Sequence, residues 1–156
     1  MDCKLLKGSD IKKYIKQIDN IYGLVEFTKK DKVEECEIKN LRILKINNKP
    51  HFILKNLTIP TLNLIVSNPR YTLPKVTVDM GAIPYVIKGS DVMRPGITKM
   101  EKFDKDSYIL IVDENHDKPL AIGKTLFSSE EIEKMEKGKV IETIHYIGDE
   151  VWNSPQ

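Results

Sequence analysis

Apolar residues at Ile11, Tyr14, Ile15, Ile18, Ile21 and Tyr22 recur at helical spacing through residues 9–23 and predict one amphipathic helix. Ser9 reads as its N-cap, Asp10 as a first-turn acid and Gly23 as the left-handed stop. Lys12, Lys13 and Lys16 fall on or beside the opposite face. The period then shortens. Runs at 33–38, 41–46 and 51–55 read as strands, the last two joined by Asn47-Asn48-Lys49-Pro50. Asparagine tolerates positive φ, so the Asn pair predicts a hairpin turn. Residues 59–68, with Pro60 near the start and apolar side chains at 62, 65 and 66, predict a short helix. Pro69 and Pro74 break regular structure after it and mark a domain boundary.

The second half opens on a short strand at 75–78 and a short helix within 79–90 that Gly89 terminates. Asp91-Val-Met-Arg-Pro-Gly96 is a turn whose backbone Pro95 and Gly96 fix. Strands are predicted at 107–112, 119–127 and 139–147, with a polar loop from Asp113 to Lys118. Ser128 and Glu131 have capping-box spacing ahead of a helix that ends at Gly138. Several short strands with little helix between them suggest a small closed or half-closed β-barrel. The class is α+β: domain 1–73 is a small N-terminal α+β unit and domain 74–153 a β pseudo-barrel.

With 156 residues, 40% hydrophobic and 31% charged, the chain has a globular balance, which excludes wholesale disorder. Its densest apolar run, Tyr108 to Val112, is far short of the roughly 20 residues a membrane-spanning helix requires. The N-terminus carries charge among its apolar residues and does not read as a signal peptide. Two cysteines, Cys3 and Cys36, are too few for a disulfide framework, and neither has a Cys or His at metal-ligand spacing. A soluble, intracellular protein without metal is expected. The charge is uneven: 13 Lys and 2 Arg against 8 acids give +7 over residues 1–75, whereas 9 Lys and 1 Arg against 15 acids give −5 over 76–156. A basic half joined to an acidic half fits two units with different partners, or two solvated faces. Lysine suits phosphate backbones better than bidentate base reading.

Catalytic chemistry is thin. His51, His116 and His145 are scattered and read as structural, and neither cysteine has a base beside it in the sequence. Nucleophile-elbow, phosphate-loop, zinc-protease and dinucleotide motifs are missing. Asp79 and Asp91 bracket the short helix as turn and cap residues rather than an acid–base pair. No catalytic residue and no cofactor are assigned; the expectation is a binding protein rather than an enzyme.

The window Val78-Asp-Met-Gly-Ala-Ile-Pro-Tyr-Val-Ile-Lys-Gly-Ser-Asp-Val-Met-Arg-Pro-Gly-Ile97 resembles a PUA domain in its Asp-x-Gly-Ala start, short helix, glycine turn and Pro-Gly entry to the next strand. Ile141 to Trp152, and the stretch from Pro60 to Asp79, resemble the ending and the junction of the malignant T-cell-amplified sequence family. In that family a PUA domain follows a small N-terminal domain. The Lys- and Ile-rich composition is similar to that of archaeal members.

The resemblance implies a cytoplasmic RNA-binding protein of translation that docks on the small ribosomal subunit or tRNA in initiation, reinitiation or recycling. Structured RNA (rRNA or tRNA) would be the ligand. The eukaryotic relatives act with density-regulated protein, so a partner with an initiation-factor-1-like domain is also implied. The alternative is an RNA-targeting module for a tRNA or rRNA modification enzyme; a protein adaptor is a third reading. By resemblance, RNA would meet Lys88, Gly89, Ser90, Arg94, Pro95, Gly96 and Lys99, where glycines admit close backbone approach and basic residues meet phosphate. Lys12, Lys13 and Lys16 would add a basic ridge. Tyr85 and Trp152 either pack in the core or stack on a base, and are read as core aromatics.

Overall fold

The computed structural model describes residues 2–155, which fall into two compact units: residues 2–71 with 150–155, and residues 72–149.

The first unit is a five-stranded antiparallel sheet in sequential order: β1 (Asp2–Leu5), β2 (Val33–Ile38), β3 (Leu41–Ile46), β4 (Lys49–Leu54) and β5 (Thr58–Pro60). Helix α1 (Gly8–Tyr22) buries Ile11 and Ile18 in a core that includes Val33, Leu44, Ile46, Phe52 and Leu54. Each fully buried side chain of this size favours folding by about 1.5–3 kcal/mol. Gly23 ends α1 at φ 66 as predicted. Ser9, expected to cap the helix, lies inside it; Lys7 holds the cap position without a side-chain bond. Asn47 and Asn48, at φ 51 and 71, make the β3–β4 turn. The second helix, α2 (Leu62–Ser67), is shorter than expected, because Thr58–Pro60 pairs with β4 and the Thr61 hydroxyl, not Pro60, sets the start by accepting the Leu64 N–H.

Strand β1 is not among the predicted strands, and it brings the two cysteines together in a single bridge rather than a framework. Its antiparallel register sets Cys3 opposite Cys36, and the two form a disulfide. The buried Lys45 donates from Nζ to the Pro155 carbonyl at 3.0 Å, and Asn63 Nδ2 donates to the Trp152 carbonyl at 3.1 Å, so the last residues close onto this unit.

The second unit is a six-stranded mixed sheet built on β6 (Lys75–Val78), β7 (Val92–Met93), β8 (Ile97–Met100), β9 (Tyr108–Asp113), β10 (Pro119–Thr125) and β11 (Lys139–Tyr146). The ladder runs β7-β11-β10-β9-β6-β8, with β6 parallel to β9 and the other neighbours antiparallel. Its core includes Val76, Val78, Ile109, Ile111, Val140 and Ile141. Two short helices complete it: α3 (Ile83–Val86) and α4 (Ser129–Glu133), the latter with the predicted Ser128–Glu131 capping box. Among the described residues, no helix is long and apolar enough to cross a membrane.

Candidate nucleic-acid interface

The second unit carries a groove of about 630 Å³ beside α3, whose walls include Ala82, Tyr85, Asp91, Met93, Gly96 and Lys139. Backbone bonds build it. The Asp79 N–H donates to the Gly96 carbonyl at 2.9 Å, and Asp79 Oδ1 accepts the Ala82 N–H at 2.8 Å, tying the helix start to the Arg94–Gly96 3-10 turn. Asp79 is thus the turn residue expected from the sequence, while the N-cap of α3 is Ala82. Gly89 ends the turn that follows α3 at φ +88, where a Cβ would stand 2.6 Å from the Tyr146 ring, so only glycine fits without displacing that ring. The chain is then fastened to β11: Thr143 donates from Oγ1 to the Ser90 carbonyl and from N–H to Asp91 Oδ1, both at 2.9 Å. Asp91 Oδ2 lies 3.4 Å from Lys139 Nζ, leaving a half-exposed cation at one wall.

Apolar surface faces solvent here. Tyr85 is 66% exposed and Met93 51% exposed, and both line the groove. Tyr85 is therefore not the core aromatic expected; the four-residue helix buries Val86 and turns Tyr85 outward. Trp152 lies in the first unit, half-buried.

The residues singled out by resemblance separate into groups. Ser90, Pro95 and Gly96 line the groove, and exposed Lys88 precedes Gly89 at the end of α3. Arg94 points inward: its Nε donates to the carbonyls of Ile132 (2.7 Å) and Met135 (3.0 Å), and Nη1 to that of Ile97 (3.4 Å). Its guanidinium therefore holds the end of α4 rather than presenting a free cation. Lys99 is exposed on β8 opposite Thr77 and does not line the groove. Lys12, Lys13 and Lys16 lie along α1, which belongs to the first unit, whereas the groove belongs to the second. Sequence reasoning missed Met93 and Lys139 as wall residues, and gave Tyr85 to the core in preference to base stacking. Met93 stood inside the recognised motif, but Lys139, 43 positions beyond Gly96, carried no local signal.

Outside the groove, several titratable side chains are held by local contacts. His145 is fully buried with Nδ1 2.7 Å from Asp149 Oδ2. Burial holds the His51 pKa below its ordinary value. Asp113 is held low by the backbone N–H groups of His116, Lys118 and Asn115, which fold the polar loop around it. Burial raises Tyr14 to about 12, reinforced by its hydrogen bond to Glu35; burial pushes Glu35 upward too, but the Tyr14 hydroxyl and Arg42 outweigh it and hold that carboxyl low.

The PUA domain family matches residues 74–147. The chain is 36% identical over 153 residues to the uncharacterized protein MJ1432 of Methanocaldococcus jannaschii, covering 95% of this chain and 93% of that one. It is 34% identical over 160 residues to translation machinery-associated protein 20 of Saccharomyces cerevisiae, covering 96% and 86%. Malignant T-cell-amplified sequence 1-A of Xenopus laevis is 34% identical over 166 residues, covering 97% and 91%. Among solved structures, hypothetical protein PH0734.1 of Pyrococcus horikoshii superposes with a TM-score of 0.77 at 31% identity, covering 97% of this chain and 98% of that one.

Proposed function

The chain belongs to the PUA-domain family of translation machinery-associated protein 20 and the malignant T-cell-amplified sequence proteins, and from that membership we propose that it is a non-enzymatic, cytoplasmic RNA-binding protein of translation, docking on the small ribosomal subunit or its tRNA. The observation that carries this reading is the groove with Tyr85 and Met93 turned to solvent beside exposed Lys88 and Lys139. Folded RNA offers such a surface two handles: phosphates for the lysines and an unstacked base for the aromatic ring. Lys88, Gly89, Ser90, Pro95 and Gly96 form the approach for the RNA backbone, and Lys99 is a peripheral phosphate contact. Arg94 serves by holding the turn in place. Lys12, Lys13 and Lys16 add a second phosphate-binding ridge. A partner with an initiation-factor-1-like domain completes the proposed complex.

The test is co-sedimentation with purified small ribosomal subunits, with and without tRNA, across a salt series. Retention that falls with salt is expected, and each lost lysine–phosphate contact lowers the log–log salt slope by about 1. Tyr85→Ala should weaken retention at every salt concentration without changing that slope. Binding to free tRNA but never to subunits would favour targeting of a modification enzyme; no RNA binding at low salt would overturn the reading.

A further inference from the structure

The outer edge of the first sheet carries chemistry that the groove does not use. In the β1–β2 register Cys3 faces Cys36, with Cα atoms 4.0 Å apart and the sulfurs bonded. Glu34 precedes Cys36 by two positions, and the two-residue period of a strand puts both on one face. The Glu34 carboxylate and the two sulfurs offer ligand atoms that all lie within 4.8 Å of one another. A tetrahedral centre with metal–sulfur bonds of about 2.3 Å separates its sulfurs by about 3.8 Å, which facing cysteines reach by side-chain rotation once unbonded. Two thiolates and a carboxylate are a donor set for zinc-class ions, with a position left for water.

The next rung, Asp2 opposite Glu37, projects from the other face of the sheet, and Glu35 on that face is paired with Arg42, so Glu34 is the carboxylate that stands with the two sulfurs. A competing cation is Lys32, with Nζ 3.6 Å from Glu34 Oε1. Access is provided by Cys3, exposed on a strand whose four residues are all exposed, whereas Cys36 is buried.

We propose that Cys3, Cys36 and Glu34 form a redox-gated site for a thiophilic divalent cation of the zinc class. In the oxidised state the sulfurs are bonded to each other and offer no thiolate. An external thiolate attacks Cys3 Sγ, forming a mixed disulfide and releasing Cys36. A second thiol then resolves it, so the protein sulfurs gain two electrons, two external thiols become one disulfide, and two protons end on Cys3 and Cys36. Metal entry displaces those protons and forms two metal–sulfur bonds and one bond to Glu34.

The full chain is reduced with a dithiol, freed of it anaerobically, and titrated with Co²⁺ beside the oxidised chain. One Co²⁺ per reduced chain is expected, with a thiolate-to-cobalt charge-transfer band that Zn²⁺ abolishes and the oxidised chain never shows. Glu34→Gln, which keeps both sulfurs, should weaken Co²⁺ binding by about tenfold or more. Two titratable thiols, an unchanged far-ultraviolet circular dichroism spectrum and no band would reduce the pair to a cross-link. Unchanged affinity in Glu34→Gln would remove the carboxylate from the site. A bond that resists reduction in the folded chain would remove the gate. The oxidised wild type is a control independent of whether any variant folds.

Discussion

Replacing Gly89 by alanine probes the close approach that shapes the groove. Gly89 sits at φ +88, and a Cβ there would lie 2.6 Å from Tyr146 Cε1 and 3.0 Å from Cζ. Two costs combine. The left-handed backbone disfavours alanine by about 1–2 kcal/mol, and forcing the ring aside adds an overpacking cost of about 1–3 kcal/mol. Gly138 separates them, because its φ is +98 but nothing lies within 4 Å of the place an added methyl would occupy. Gly8, with neither positive φ nor a neighbour within 4 Å, reports the baseline. The expected order is therefore little change for Gly8→Ala, a loss of about 1–2 kcal/mol for Gly138→Ala, and about 2–5 kcal/mol for Gly89→Ala. Urea unfolding followed by circular dichroism reads the differences, and each kcal/mol should move the melting temperature by about 2–4 °C. Equal losses at Gly89 and Gly138 would refute the reasoning, because they would mean that the Tyr146 ring yields freely and the contact does not constrain the loop.

Arg94→Ala should destabilise the second unit by about 1.5–3 kcal/mol, since carbonyls at the end of α4 lose a charged donor; thermal melts check this, and Arg94→Lys should not restore the full loss because the forked geometry is gone. Asp113 has its folded pKa depressed by loop N–H groups, so its contribution is complete above about pH 4, its unfolded value, and is lost as pH falls through the lower folded value. Urea midpoints of Asp113→Asn and wild type should accordingly differ at pH 7 and converge in strong acid; a gap that persists at the lowest pH would contradict the assignment. Tyr14 should ionise only near pH 12 in an ultraviolet titration of the folded chain, and Tyr14→Phe should cost about 0.5–1.5 kcal/mol through the lost bond to Glu35.

Local signals were legible where one physical cause acts within a few residues. The stripe from Ile11 to Tyr22 made α1, the Asn47-Asn48 pair took the positive φ its turn requires, and Ser128 with Glu131 closed a reciprocal cap. The 78–97 window identified the family because its glycines and prolines mark backbone geometry directly. What escaped depends on tertiary pairing. Strand β1 is four exposed residues, too few for their alternation to mark a strand, so only its ladder with β2 reveals it, and with it the Cys3–Cys36 bond. Arg94 looked like a phosphate contact until the end of α4 arrived beneath it. Tyr85 looked like core because an aromatic in an apolar run carries no label for which side of a single helical turn it occupies.

The closing of residues 150–155 onto the first unit has a consequence for synthesis. Lys45 meets Ser154 and Pro155 across separations of 109 and 110 residues, and Val151 is buried. A chain emerging from its N-terminus has all of residues 72–149 available before those partners exist. The inserted unit is thus free to mature first, while its host waits with an amine that has not yet found its hydrogen-bond acceptors. Completion of the host cannot precede the emergence of residues 150–155 from the exit tunnel, so the unit that begins first is the one that finishes last.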